Sequence, residues 1–283
     1  MSTGIAEKTE RLQDALIAIT ASDSCDLPVL PEVAAQLLRL TSNVDCDASE
    51  IVALIKRDQS LTCHLLRIAN SLRYNTGISV SSIQQVVARL GLNGVREIVV
   101  VISCQCRIFD VAGFENDVRK SFRRSLATAA FSQEIARVRR MNVEEAFLAG
   151  LLHDVGRPIL LQALSDRRSR GLLAASDGEL LVAAEEHRIT FASRLIESWE
   201  LPTRVAETVR FQNAVYGACD HELQSAMLSL AIDFATAAVA GGSIASGSFD
   251  EHPMTTLLGL YPEQLANVLR HRQTICEWLD STI

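Results

Sequence analysis

The residues best suited to metal chemistry are His153 and Asp154, which follow a run of apolar residues and precede the helix breakers Gly156 and Pro158. Imidazole nitrogens and carboxylate oxygens are ligands that divalent cations take in hydrolytic enzymes. An adjacent pair of this kind at the end of a buried helix is what a metal-dependent phosphohydrolase uses to hold its cations. Because two adjacent side chains cannot hold a catalytic metal alone, this chemistry needs further His or Asp ligands from neighbouring helices.

A helix is predicted to position this pair. Asn142 can cap its start, and Glu145 stands three residues further on as the reciprocal partner of a capping box. An apolar stripe with helical spacing then leads directly to the pair and consists of Phe147, Leu148, Leu151 and Leu152. We therefore expect the stretch from 142 to 161 to be the structural centre of the C-terminal half.

The other histidines limit the search for further ligands, and they are His64, His187, His221, His252 and His271. His64 is expected to be a packed or half-exposed helix residue, and the last three are expected at the surface. His187 stands beside Glu185 and Glu186 at the predicted end of a helix, with Thr190 capping the next one. It is either a supplementary ligand or a solvated residue at a helix terminus, where a cation suits the helix dipole.

A predicted helix from about 117 to 140 carries a dense basic set, which comprises Arg119, Lys120, Arg123, Arg124, Arg137, Arg139 and Arg140. A run of like charges is usually a solvated face that acidic residues elsewhere balance. The alternative is a docking face for an acidic partner or a phosphate group. On that alternative, the candidate binding surface consists of Arg119, Arg123, Arg124 and Arg157.

The composition argues against several classes of protein. Of the 283 residues, 48% are hydrophobic and 22% are charged, as in an ordinary globular chain with a substantial core. The net charge of -7 argues against binding to a nucleic-acid backbone, and the aromatic content of 5% leaves few platforms for stacked bases. The apolar runs are too short to span a bilayer, and the N-terminus lacks a secretory signal. We therefore expect a cytoplasmic protein.

The apolar pattern predicts an all-α protein, because nearly every segment repeats at helical spacing and none alternates over the length of a strand. Besides the helix after Asn142, helices are expected at about 5–20, 31–40, 47–57, 61–70, 117–140, 177–187, 190–199, 203–211, 222–240 and 262–280. Ser60 is the expected cap of the helix at 61–70. Residues 81–94 look like the first half of a helix-turn-helix, but Ile98 to Ile102 are apolar on every face. Ile98 to Ile102 therefore belong in a hydrophobic core rather than in the groove of a DNA duplex.

Five motifs, in order along the chain, resemble those of the HDOD domain, the HD-related output domain of bacterial signalling proteins. They lie at 27–34, 55–71, 81–92, 146–157 and 199–202, and they include LPVLPEVA, AFLAGLLHDVGR and WELP. The resemblance implies a helical N-terminal part at 27–112 packed on a helical part at 113–240 that resembles the HD phosphohydrolases. An N-terminal helix and linker at 1–26 and a loop and C-terminal helix at 241–283 flank them.

The resemblance also implies where metal ligands ought to be. Arg124 stands where HD-type proteins have a histidine on the long helix, and a second expected histidine falls near Arg188, one position from His187. Two further histidines are replaced by Gln212 and Asn213, and Asp233 lies one residue from the last family aspartate. A guanidinium cannot coordinate a metal. We therefore expect no metal at the remaining pair of His153 and Asp154, and we expect Arg124 to form a buried ion pair with Asp154 instead.

The expected function is a non-catalytic signalling or scaffold module that has no cofactor and acts through protein partners. Its candidate surfaces are the groove between the two helical parts and the arginine face. A homodimer through the terminal helices is also expected. One alternative is a metal-dependent phosphohydrolase acting on a nucleotide or cyclic dinucleotide, with His187 or Asp233 completing the site of His153 and Asp154. Another is a nucleic-acid-binding regulator that uses residues 81–103.

Overall fold

The computed structural model describes residues 11–21, 36–37, 48–71, 77, 79–107, 111–199, 201–240 and 247–282. Every regular element within these ranges is a helix, which confirms the all-α prediction. The motif at 27–34, most of the helix expected at 31–40, the turn at 74–76 and the loop at 241–246 lie outside the described residues. Within the described residues, no helix combines the length and apolar character that are needed to cross a bilayer.

Within the described residues, three complete helices lie in the N-terminal part, and a further helix precedes it. These are α1 (Leu12–Ala21), α2 (Ala48–Lys56), α3 (Gln59–Ala69) and α4 (Ile83–Arg107). The cap of α3 is Asp58, whose carboxylate accepts a hydrogen bond from the Leu61 amide at 3.0 Å. The prediction that Ser60 caps this helix was therefore wrong, because the aspartate two residues earlier already satisfies the free amide.

The C-terminal part contains the remaining helices. They are α5 (Glu115–Arg139), α6 (Val143–Leu152), α7 (Gly156–Ser169), α8 (Asp177–Ser198), α9 (Thr203–Arg210), α10 (Glu222–Val239), α11 (Pro253–Leu257), α12 (Pro262–Arg270) and α13 (Arg272–Thr282). Asn142 caps α6 as predicted, since its side-chain oxygen accepts from the amides of Glu144 and Glu145. The carboxylate of Glu145 lies 3.4 Å from Arg204 on α9.

Helix α8 is one continuous element, so the predicted break before Thr190 was wrong. A capping box between Ser176 and Glu179 starts the helix. Its buried face continues across the expected break with Leu180, Ala184, Phe191 and Leu195. Because no glycine or proline interrupts this apolar repeat, the packing extends the helix through a residue that could have capped a new one. In the same way, the expected helix at 262–280 is divided between α12 and α13 at His271.

Two hydrophobic cores hold the helices together. The N-terminal core is formed from α2, α3 and α4 together with Leu37. The C-terminal core is formed around α5, α6 and α10, and it also receives Leu16 of α1 and Trp278 of α13. Helix α1 and the helices after 247 therefore share a core with the HD-like part, because they bury apolar faces against it.

Helix α4 connects the two cores. Gly91, whose φ is 68° and ψ is 173°, interrupts it and sets the direction of its second half. In that half, Ile98 and Ile102 are buried in the N-terminal core, and Val101 is buried in the C-terminal core. The two parts are therefore packed on each other, and the apolar character of this helix on several faces serves a core, as predicted.

Two glycines set the spacing between the helices around His153 and Asp154. A Cβ atom on Gly150 would lie 2.7 Å from the backbone nitrogen of Ala129, so α6 and α5 are in backbone contact there. A Cβ atom on Gly156 would overlap the carbonyl oxygen of Arg188 and lie 2.9 Å from the backbone nitrogen of Ala192. Helix α7 therefore begins directly against the backbone of α8.

We predict that Gly156→Ala lowers the free energy of unfolding by about 1–3 kcal/mol or more, because α7 and α8 must separate to admit the methyl group. Chemical denaturation with circular dichroism measures this change. Gly178→Ala on α8 is the matched control, since a Cβ atom there meets nothing within 4 Å. It should leave stability unchanged or raise it by up to about 1 kcal/mol. Equal effects of the two substitutions would contradict the assigned close approach.

Candidate functional site

Asp154 is fully buried in the turn between α6 and α7. Its Oδ2 atom accepts a hydrogen bond from the Ser121 hydroxyl, and it lies 2.9 Å from Nη2 of Arg124. Ser121 and Arg124 are three residues apart on α5, so they lie on one face of that helix. The predicted ion pair between Arg124 and Asp154 is thus confirmed.

Two further guanidinium groups surround the same carboxylate. Arg157, on the first turn of α7, places Nε 3.2 Å from Oδ2 of Asp154. Arg188 on α8 places Nη1 3.3 Å from Oδ1. We call Arg124, Arg157 and Arg188 the arginine cluster. Three helices therefore each supply one cation, and both oxygens of the buried carboxylate are engaged.

Glu185 forms an outer layer around the arginine cluster. Its Oε1 atom accepts from Nε of Arg188 at 2.9 Å, and its Oε2 atom contacts Nη2 of Arg157. The Glu185 side chain is half-exposed, whereas Asp154 is inaccessible to solvent. The two carboxylates hold Arg157 and Arg188 between them, so α7 and α8 are cross-linked by charge at their closest approach.

The arginine cluster keeps Asp154 ionised. Burial alone would raise the pKa of this carboxyl group, but the charge that His153 gains once it is protonated at low pH, together with the charges of Arg157, Arg188 and Arg124, holds its pKa below the usual range. A group with a depressed pKa stabilises the fold above its ordinary pKa, and this stabilisation is lost as the pH falls through the folded-state value. The site therefore carries a fixed negative charge at its centre at neutral pH.

His153 is buried and electrically neutral. Its Nδ1 atom lies 2.7 Å from the Gly150 carbonyl oxygen, and a carbonyl can only accept, so Nδ1 carries the proton. Burial lowers the pKa of this histidine to about 4, against the opposing effect of the Asp154 charge. The imidazole is thus a hydrogen-bonded part of the α6 terminus rather than a cation.

Gln212 fixes the backbone of the pair from the turn that follows α9. It is buried just after α9, and its Nε2 atom donates to the carbonyl oxygens of His153 at 3.2 Å and Val209 at 3.0 Å. This is one of the positions where the resemblance implies a histidine, and the amide there supplies a donor to backbone instead. Asn213, the neighbouring position, is exposed.

The structure does not bring the supplementary ligand candidates to the pair. His187 lies in the middle of α8 and is half-exposed, so it is not at a helix end as predicted. Asp233 on α10 places Oδ2 3.1 Å from Nε2 of His252. Among the described residues, no group of three or more His, Cys, Asp or Glu side chains is arranged to hold a metal ion.

The residues predicted as one binding surface fall into two environments. Arg124 and Arg157 face Asp154. Arg123 instead pairs with Asp280 of α13 at 2.5 Å, and Arg119 is exposed. The sequence interpretation treated Arg188 only as a lost ligand and assigned no role to Ser121 or Glu185. The spacing of three residues between Ser121 and Arg124, and between Glu185 and Arg188, was the available signal.

A groove of about 500 Å³ separates the N-terminal helices from the C-terminal part, where a candidate binding surface was expected. Arg89, Asn93 and Glu97 of α4 line one wall, and Gln133 and Arg137 of α5 line the other. Between the two walls, Gln133 donates to the buried Glu97 carboxylate at 2.8 Å. The groove therefore presents positively and negatively charged side chains to a partner at the junction of the two parts.

Comparison with known proteins yields a family model and several solved structures. The model of the HDOD domain matches residues 27–215. A proposed phosphohydrolase from Shewanella amazonensis SB2B superposes with a TM-score of 0.71 at 24% identity, which covers 95% of this chain and 98% of that one. A proposed signal transduction protein from Marinobacter aquaeolei VT8 superposes with a TM-score of 0.64 at 22% identity, which covers 97% and 62% respectively. These similarities confirm the predicted fold with an HD-like helical part.

An uncharacterized protein of Treponema pallidum (strain Nichols) is 24% identical over 207 residues. The match covers 70% of this chain and 40% of that protein, so the chain spans less than half the length of the curated relative it matches.

We predict that Asp154→Asn lowers the free energy of unfolding by about 3–5 kcal/mol, because three guanidinium groups then lose their buried counter-charge. Denaturant titration measures the loss. The matched control is Asp280→Asn, which removes the exposed partner of Arg123 and should cost less than about 1 kcal/mol. Similar costs for the two substitutions would show that the arginine cluster does not depend on Asp154.

We also predict that stability falls between pH 6.5 and about 4, with a contribution from His153 of about 1.4 kcal/mol per pH unit. In this window the unfolded state binds a proton at His153 that the folded state does not bind, so the free energy of unfolding decreases as the pH falls. His153→Asn keeps a donor near the Gly150 carbonyl and should flatten the dependence. An unchanged slope in His153→Asn would contradict the assignment.

Proposed function

The chain belongs to the HDOD domain family, and on that premise we propose that it is a non-catalytic signal-transduction module that acts through contacts with other proteins. The observation that supports this proposal is the engagement of both Asp154 oxygens by the arginine cluster. A phosphohydrolase of this fold needs the same carboxylate free to hold a cation.

The residues around Asp154 do not fit a divalent metal. A metal ligand must offer a lone pair, and Arg124 and Arg188 offer only charged donors. Arg124 stands at one position where the family resemblance implies a histidine, and Arg188 stands near another. A divalent cation placed beside Asp154 would also meet three positive charges within the same site. His153 alone remains as a nitrogen donor, and one nitrogen with one shared carboxylate is too few ligands for a stable site.

The ion network has a structural consequence that suits a signalling module. It ties α5, the turn between α6 and α7, and α8 into one unit at the point where an enzyme would need open positions for water and substrate. Contacts with protein partners then fall to the outer surfaces. The groove at the junction of the two parts is one candidate, since it presents Arg89 and Arg137 together with acidic groups.

Two features of the relatives bear on this proposal. The solved structure from Marinobacter aquaeolei carries the name of a proposed signal transduction protein, which agrees with a signalling role. The structure from Shewanella amazonensis carries the name of a proposed phosphohydrolase, which is the competing function. For this chain that competing function would require His153 and Asp154 to bind metal with ligands such as His187 or Asp233. A protein partner and a homodimer through the terminal helices remain our expectations.

We predict that protein purified without chelators contains no stoichiometric iron, manganese or zinc, and that it hydrolyses neither nucleotides nor cyclic dinucleotides when these metals are added. Elemental analysis by mass spectrometry measures the first, and phosphate or product release measures the second. The double substitution Arg124→His and Arg188→His is the comparison variant, because it returns nitrogen ligands to the two positions.

Stoichiometric metal in the wild-type protein that disappears on His153→Ala and on Asp154→Ala would overturn the proposal in favour of the phosphohydrolase. Metal uptake by the double variant alone would show that the arginines are what exclude the cation.

A further inference from the structure

The arginine cluster carries more positive charge than the carboxylates it contacts. Arg124, Arg157 and Arg188 contribute three positive charges, and Asp154 and Glu185 contribute two negative ones. Glu185 is half-exposed, so its compensation of the inner cations is weakened by solvent. A surplus of one positive charge therefore remains at a partly buried position.

Two guanidinium nitrogens of the arginine cluster lack an acceptor. Nε of Arg124 and Nη1 of Arg188 are buried, and neither has a hydrogen-bond partner among the described residues. The Nη1 atom of Arg188 is 3.3 Å from Asp154, close enough for charge attraction but without hydrogen-bond geometry. A buried charged donor without an acceptor is costly, so this arrangement leaves capacity for an additional anionic acceptor.

The arginine cluster is also partly accessible to solvent. The side chains of Arg124, Arg157 and Arg188 are 30%, 19% and 14% exposed, so parts of the guanidinium groups reach solvent. Lys120 is exposed and lies one helical turn before Arg124 on α5. Long helical side chains lean toward the N-terminus of their helix, which brings Arg124 toward Lys120. Lys120 thus adds a second cation on the same helix, one turn from Arg124.

We propose that the arginine cluster is a binding site for a phosphate-type oxyanion, either inorganic phosphate or a phosphate monoester. Guanidinium groups bind phosphate oxygens through paired, charge-assisted hydrogen bonds. A phosphate dianion would match the surplus charge of the cluster together with Lys120, whereas a carboxylate would match only half of it. The anion takes the place near Asp154 where a hydrolase of this fold would hold metal, and it binds through arginine without a cation.

This inference rests on the proposed metal-free state of the site. Anion binding would give the module a chemical input signal, since an anion between α5, α7 and α8 would contact all three helices at once. Binding would stabilise the folded state in proportion to anion occupancy, which thermal unfolding reports.

The test is calorimetric and thermal-shift titration of the full chain with inorganic phosphate, adenosine 5′-monophosphate and adenosine, at constant ionic strength set with sodium chloride. Inorganic phosphate or the monophosphate should bind saturably and raise the unfolding temperature, and adenosine should not. Equal affinities would assign the site to free phosphate, and tighter binding of the monophosphate would assign it to a monoester. No shift beyond that of matched sodium chloride would overturn the proposal.

Three substitutions locate the binding. Arg188→Gln leaves Asp154 with Arg124, Arg157 and Ser121, and it should weaken binding about tenfold or more. Lys120→Gln removes an exposed cation, so it should leave folding intact and weaken binding about threefold. Arg194→Gln, an exposed position on α8 outside the arginine cluster, is the matched control and should bind as the wild type does. Wild-type affinity in Lys120→Gln together with either wild-type affinity or misfolding in Arg188→Gln would overturn the assignment.

Repeating the titration with and without a chelator separates this inference from the proposed function. Anion binding that persists in the presence of the chelator supports both the metal-free site and the proposed anion site. Binding that requires added manganese or iron would overturn the metal-free site and this inference with it. An absence of binding in a protein that also lacks metal would overturn this inference alone.

Discussion

The buried carboxylate of Asp154 is the constraint on which the centre of this protein depends. A carboxylate removed from water is tolerated only when neighbouring charges and donors replace its hydration. Here the replacement comes from a hydroxyl and three guanidinium groups that reach the same atom pair from α5, α7 and α8. Because each cation is on a different helix, satisfying one charge fixes the relative positions of three elements.

The close packing of the helices and the electrostatics of the site support each other. Gly150 and Gly156 allow backbone contacts that bring α5 and α8 to the turn holding Asp154. Without that approach, Arg124 and Arg188 would be too distant to pair with it. Gln212 and the hydrogen bond from His153 to Gly150 then hold the turn itself. In this way the chain stabilises its buried centre with its own side chains.

The N-terminal part meets this centre through α4. The break at Gly91 allows one helix to contribute to two cores, and the hydrogen bond from Gln133 to Glu97 satisfies a buried carboxylate at their junction. Helix α5 is therefore shared, since it carries Gln133 at the junction and Arg124 at the centre. A structural change in the arginine cluster and a structural change at the groove would both displace α5. This helix therefore connects the arginine cluster physically with the groove.

Local sequence determined the helices and many of their ends. The apolar repeat and the cap at Asn142 predicted α6 because both signals act within one or two turns of the chain. The predicted helix break before Thr190 was wrong because the capping signal of Thr190 is only local. The apolar face from Leu180 to Leu195 is stabilised by tertiary packing, which continues the helix through this residue. The sequence also predicted the ion pair of Arg124 with Asp154, through motif positions that the family resemblance aligned.

Only the tertiary structure decided that Arg157 and Arg188 join that pair, that Ser121 and Glu185 complete it, and that Arg119 and Arg123 lie apart from it. The reason is physical. Sequence spacing fixes which side chains share a helix face, but the convergence of α5, α7 and α8 on one carboxylate depends on interhelical distances. Those distances are set by glycine contacts and core packing between residues that are far apart along the chain.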